Sequence, residues 1–170
     1  SGYVTHPGMT APRVVLFADG GASVGTGHIF RLHAVLRCLR MHEVPAEMLV
    51  PLPSEALAQF GLEDVRSVKT EPQEIVTAVC RSAPALVILD TYRHLEEFFQ
   101  QLGGRDCHLA IFDDHFCVKE TVALIVNASP AVSASDYAPN AANHFLLGPA
   151  YASLARGYIG ARSRYTVSTT

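Results

Sequence analysis

Apolar residues occur along the chain in short continuous runs, each closed by a polar residue or glycine and most followed by a segment with helical spacing. The first run, Arg13 to Ala18 (RVVLFA), is rich in β-branched residues and ends at Asp19-Gly20-Gly21, the pattern of a buried strand feeding a glycine loop. Beyond the loop, Ile29, Leu32, Leu36 and Leu39 recur at helical intervals while Arg31, Arg37 and Arg40 fall between them. This predicts an amphipathic helix from about His28 to Met41 whose apolar stripe is core.

The alternation then repeats. Ala46 to Leu52 predicts a second strand, and Ser54 suits the N-cap of a short helix through Phe60 that stops at Gly61. Val65 to Lys69 is a weaker third strand. Thr70 and Gln73 have capping-box spacing and Pro72 suits a first helical turn, with Ile75, Val79 and Cys80 on the apolar side of a helix ending near Ser82. Pro84 to Leu89 is an apolar strand running into Asp90, and His94 to Leu102 a helix stopped by Gly103-Gly104. Three further runs read as strands: His108 to Phe112, ending in Asp113-Asp114; Val122 to Val126, ending in Asn127; and Phe145 to Leu147, ending in Gly148-Pro149. Apolar strands alternating with amphipathic helices predict an α/β fold, a three-layer, Rossmann-like parallel sheet with helices on both faces. One domain is expected over residues 13–160, with 1–12 a flexible leader in which Met9 is a natural start, and 161–170 a tail or linker.

Composition narrows the function classes. A chain of 170 residues with 49% hydrophobic and 17% charged residues is too apolar to stay disordered and long enough for one core. Thirteen Lys+Arg against 16 Asp+Glu, a net charge of −3, leave no basic excess for nucleic acid or an anionic membrane. No apolar run approaches the roughly 20 residues of a membrane span, and no signal-peptide pattern opens the chain, so a cytoplasmic protein is expected. Four cysteines without a C-x-x-C pair predict reduced, mostly buried thiols.

In parallel sheets of this kind ligands bind beyond the carboxyl ends of the strands, which makes Asp19, Asp90, Asp113, Asp114 and Asn127 candidates. Each could equally cap a helix or bond a turn. More specific is the stretch Asp19 to His28 (DGGASVGTGH), whose glycines allow positive φ and bring backbone N–H groups close to an anion at a helix N-terminus. Phosphate or diphosphate is the natural partner; the alternative is a tight turn without a ligand. A Walker A loop requires Lys and Ser or Thr where Thr26 and Gly27 stand. A dinucleotide fingerprint requires glycine where Phe30 stands and an acid near the end of the second strand, where there is none. A receiver domain requires an acidic pair after the first strand, where only Asp19 occurs. His28, in the first helical turn, is expected to be held neutral near pH 7 by the helix dipole and so able to act as a general base; the alternative is a histidine bonded to a nearby carbonyl.

The stretch ADGGASVGTGHIFR resembles the N-terminal glycine loop of the PseG/SpsG family, UDP-sugar hydrolases of pseudaminic acid biosynthesis, with its pattern D-x-x-x-x-x-G-x-G-H-x-x-R. LVILDTYR (Leu86 to Arg93) is similar to that family's D-x-Y segment, HLAIFDDH (His108 to His115) to its strand ending in Asp-Asp, and ALIVNASPAVSASDY (Ala123 to Tyr137) to its Asn-containing strand and loop. FLLGPAY (Phe145 to Tyr151) is similar to its L-L-G-x-x-Y segment, so the resemblance runs in order over about residues 13–158. It implies that His28 is the catalytic base with Tyr92 beside it in the sugar site. Asp19, Gly25, Thr26, Gly27, Arg31, Asp113, Asp114, Asn127 and Tyr151 would bind substrate or build the cleft. It implies a domain like the N-terminal half of the two-domain GT-B glycosyltransferases of MurG type, water in place of a sugar acceptor, and no cofactor or metal; a monomer or weak dimer is expected. The family's second Rossmann-like domain, which grips most of the nucleotide, would be a required C-terminal partner. One departure is that Ala155 occupies the family's arginine position, with Arg156 beside it.

Asp113, Asp114, His115 and Cys117 are ligand types for a transition metal, but their spacing matches no standard zinc pattern. His33, His94, His108 and His144 have no partner recognisable from sequence. Three function classes stay open: a UDP-sugar hydrolase, a GT-B glycosyltransferase using the same base on an acceptor hydroxyl, and a non-catalytic binding domain.

Overall fold

The structure, a computed structural model, describes residues 14–21 and 24–153. The expected leader and tail, Arg13, and the Ala155 and Arg156 positions lie outside the described residues. The elements are β1 (Val14–Ala18), α1 (Gly27–Met41), β2 (Ala46–Val50), α2 (Ser54–Gln59), β3 (Arg66–Ser67), α3 (Pro72–Cys80), β4 (Leu86–Asp90), α4 (Leu95–Leu102), β5 (His108–Phe112), β6 (Val122–Asn127) and β7 (Ala142–Leu147). Short 3-10 turns cover Ala134–Asp136 and Pro149–Tyr151.

The seven strands form one sheet in the order β3-β2-β1-β4-β5-β6-β7, and every neighbouring pair is parallel. The chain winds outward from β1 to β3, returns to lay β4 beside β1, and winds outward the other way. This is the doubly wound Rossmann-like α/β arrangement, with its topological switch point between β1 and β4.

Strand alternation splits the core in two. Val15 and Phe17 of β1, Val87 and Leu89 of β4, and Leu109 and Ile111 of β5 face α3 and α4, meeting Ile75, Val79 and Phe98. Leu16 and Ala18, Met48 and Val50, and Ile88 face α1, meeting Ile29, Leu32 and Leu36. Full burial of each such Leu, Ile or Phe contributes roughly 1.5–3 kcal/mol before ordering costs, so both helical layers are tied firmly to the central strands.

Several boundaries differ from the sequence expectation. Helices flank both faces of the sheet only in its first part: after β5, parallel strands are joined by loops, which place Val118, Val132, Tyr137 and Ala141 on the α3–α4 side. There these loop residues, rather than a helix, cover the sheet. The expected Thr70–Gln73 capping box does not form; Glu71 is the N-cap, because Pro72 holds its predecessor extended (φ −69°, ψ 131°) and opens the helix. Pro53 rather than Ser54 is the N-cap of α2. β2 ends at Val50, since Pro51 has no N–H to continue the ladder. β7 begins at Ala142, earlier than its apolar run suggests, because Asn143 and His144 are exposed. The cysteines are free as expected but none is buried: Cys38 is exposed and the other three are half-buried. Among the described residues no helix is long and apolar enough to cross a membrane.

Candidate functional site

The site begins where β1 turns into α1. A Cβ on Gly20 would stand 2.3 Å from Ile29 Cδ1, so glycine there lets the first turn of α1 settle onto the strand end. Gly21 and Gly25 have φ of 135° and 82°, and the Gly25 N–H donates to the Gly21 carbonyl at 2.8 Å, closing a tight loop. Thr26 is the N-cap of α1 but makes no side-chain capping bond, and the first turn holds no acidic residue. A Cβ on Gly27 would meet nothing within 4 Å. The positive end of a 15-residue helix therefore lacks a side-chain cap at the end of the glycine loop.

His28 leans from this turn toward the end of β4, where its Nδ1–H donates to Asp90 Oδ1 at 2.6 Å. Asp90 is fully buried. Arg31, one turn further along α1, donates through Nε to Asp90 Oδ2 at 2.6 Å and through Nη2 to Asp90 Oδ1 at 2.7 Å. Its Nη1 donates to Asp114 Oδ2 at 2.5 Å, and its guanidinium lies 4.9 Å from the centre of the Phe112 ring. Tyr92 stands edge-on to His28 with ring centres 5.1 Å apart, and His115 packs edge-on to Tyr92 with ring centres 4.4 Å apart.

Of the residues expected from sequence, the fold thus brings together His28, Arg31, Tyr92 and Asp114 beside the loop of Gly25, Thr26 and Gly27. It also brings in Asp90, expected from sequence only as one of the polar strand ends, and His115, expected only as a possible metal ligand. The shift at His28 runs opposite to the direction expected from the helix dipole: the Asp90 hydrogen bond and charge push its pKa up, against the opposing effects of burial and Arg31. Burial pushes the Tyr92 phenol up, with Asp114 adding to it. Burial disfavours charge on Arg31, but Asp90 and Asp114 outweigh it and hold the guanidinium firmly protonated.

The other expected residues do structural work. Asp19 accepts from Arg93 Nε and Nη2, both at 2.6 Å, and from the Gly20 N–H at 2.9 Å, locking the start of the glycine loop to the segment after β4. Burial raises the Asp19 pKa, yet the Arg93 bonds and charge dominate and hold it below the ordinary value. Asp113 accepts from the Cys117 and Val118 N–H groups at 2.8 and 3.0 Å. Asn127 donates to the Asp113 carbonyl at 2.8 Å and to the Tyr137 hydroxyl at 3.0 Å, and burial pushes the Tyr137 phenol up to about 12. Asp113 and Asn127 therefore brace the loop that carries Asp114 and His115. Tyr151 is exposed beyond β7, with β5 and β6 between that strand and β4, and is not brought to His28.

The possible metal set does not converge. Asp113 is engaged by backbone N–H groups, Asp114 by Arg31 and His115 by Tyr92, and the described residues contain no group of three or more His, Cys, Asp or Glu placed to hold an ion. A cavity of about 250 Å³ opens at the opposite, amino edge of the sheet, lined by Leu102, Arg105, His108, Thr121 and Asn143 among others. It is remote from the His28 cluster. Sequence reasoning marked Asp90 as a strand end without connecting it to His28. The signal that could have connected them is the doubly wound order itself, which seats the fourth strand beside the first.

No protein-family model matches the chain, and no curated protein matches it.

Proposed function

We propose that this chain is the N-terminal catalytic half of a UDP-sugar hydrolase, releasing UDP from a UDP-diacetamido-trideoxyhexose for a pseudaminic-acid-type nonulosonic acid in surface polysaccharide biosynthesis. The resemblance to the PseG/SpsG family supplies the substrate. The single observation that supports the reading most is His28, anchored through Nδ1 at the end of the glycine loop and faced by Tyr92, at the switch point where doubly wound sheets bind ligands.

In this reading water attacks the anomeric carbon, the bond from that carbon to the diphosphate oxygen breaks, and UDP leaves with the electron pair. His28 Nε2 takes the proton from the attacking water. The diphosphate lies toward the glycine loop and the start of α1, where backbone N–H groups and the helix dipole favour negative charge. A GT-B active site lies between two domains, so a C-terminal nucleotide-binding domain completes the cleft and positions the sugar over His28.

The test is UDP release from a UDP-diacetamido-trideoxyhexose, with the nucleotide-binding half of a PseG-type hydrolase supplied in trans. A general base contributes about 100- to 10,000-fold, so His28→Ala should lower kcat by that order while UDP binding stays nearly intact. No UDP release by the wild-type pair, or equal release by the variant, would overturn the reading.

A further inference from the structure

We propose that Asp90 is the positioning residue for the His28 imidazole, and that Arg31, by sharing the Asp90 carboxylate, sets how strongly that imidazole holds a proton. The inference rests on reading His28 as the base. Asp90 Oδ1 accepts from both His28 Nδ1 and Arg31 Nη2, and Oδ2 accepts from Arg31 Nε. An ionised carboxylate cannot donate, so Nδ1 carries the hydrogen of the neutral ring and the basic lone pair is at Nε2. Because Asp90 is fully buried, little water screens it from either cation.

The charged and titratable groups facing this ring come from three elements: Arg31 from α1, Asp90 and Tyr92 from the end of β4 and its loop, and Asp114 and His115, the latter through Tyr92, from the loop after β5. Asp90 favours the imidazolium that forms when Nε2 takes a proton. Arg31 opposes it, and Asp114 offsets part of that opposition by neutralising the outer face of the guanidinium. The two neighbours of His28 therefore pull its affinity for protons in opposite directions.

The experiment is an NMR titration of the His28 ring in the full 170-residue chain, for the wild type, Asp90→Asn and Arg31→Gln, with the His33 ring as internal reference. Asp90→Asn should lower the His28 midpoint by roughly one pH unit or more and mix the neutral ring's two tautomers, while Arg31→Gln should raise it. In the turnover assay with the second half present, the acid limb of kcat should follow the same midpoints. Asp90→Asn should also lower kcat on the order of 100-fold with little change in KM. An Asp90→Asn midpoint within about 0.3 of the wild type, or both variants moving the midpoint the same way, would overturn the inference, being far below the effect of an adjacent charge. If Asp90→Asn fails to fold, Arg31→Gln decides alone: a midpoint that stays or falls overturns it. The titration needs no turnover, so opposite midpoint shifts without UDP-sugar hydrolysis would sink the proposed function and leave this inference standing.

Discussion

Asp19 and Asp90 end neighbouring strands as buried carboxylates, yet they use their charge differently. Asp19 is closed off by Arg93 and Gly20, whereas Asp90 reaches the His28 imidazole in the first turn of α1. The distinction has a pH signature. Because the Asp19 pKa is lowered in the fold, its ion pair stabilises the protein above the ordinary carboxylate range and is lost as pH falls through the lower folded value. Asp19→Asn should therefore flatten the acid limb of the urea midpoint against pH. His28 behaves with the opposite sign: its pKa is raised, so its pairing with Asp90 is fully present below about 6.5 and fades as pH rises through the folded value. His28→Ala should remove that decline, a loss visible as a flatter stability profile on the alkaline side of 6.5.

The β1–loop–α1 unit separates glycines the fold demands from glycines it tolerates. A Cβ on Gly20 would force the fully buried Ile29 side chain to repack, so Gly20→Ala should destabilise the protein by about 1–3 kcal/mol in urea unfolding. A Cβ on Gly27 meets nothing within 4 Å, so Gly27→Ala should leave stability within about 1 kcal/mol; in the proposed reading, with a diphosphate against the start of α1, the added methyl should weaken UDP-sugar turnover. The same unit shows what can be read from sequence. The apolar run, the glycine loop and the helical stripe are local patterns, and all three are present where expected. The pairing of His28 with Asp90 spans 62 positions and depends on which strands become neighbours. The loops replacing helices after β5 were also hidden, because β6 and β7 read as buried strands whatever joins them.

At the scale of the whole molecule, Phe30, Phe60, Phe116 and Tyr151 are large hydrophobics left exposed, and His28 and Arg31 sit among the strand ends beyond β1 and β4. The continuous sheet and two cores predict that this chain unfolds cooperatively by itself. In the proposed reading, in which a second domain grips the nucleotide, the chain alone should bind UDP weakly and turn over little, since binding energy from the remote nucleotide normally positions the sugar. Calorimetry with UDP and a hydrolysis assay on the chain alone check this. Micromolar UDP binding or ordinary turnover would contradict it.

The proposed binding of a sugar nucleotide over the β1–β4 switch point against His28 can be read by amide and ring NMR mapping with a UDP-diacetamido-trideoxyhexose, the nucleotide-binding half being supplied unlabelled. Ligand-dependent shifts are expected at Gly25, Thr26, Gly27, His28, Tyr92 and Asp114, with Arg105, His108 and Thr121 at the amino edge unmoved. Shifts confined to the amino edge, or none at the glycine loop when the ligand is bound to the pair, would contradict it.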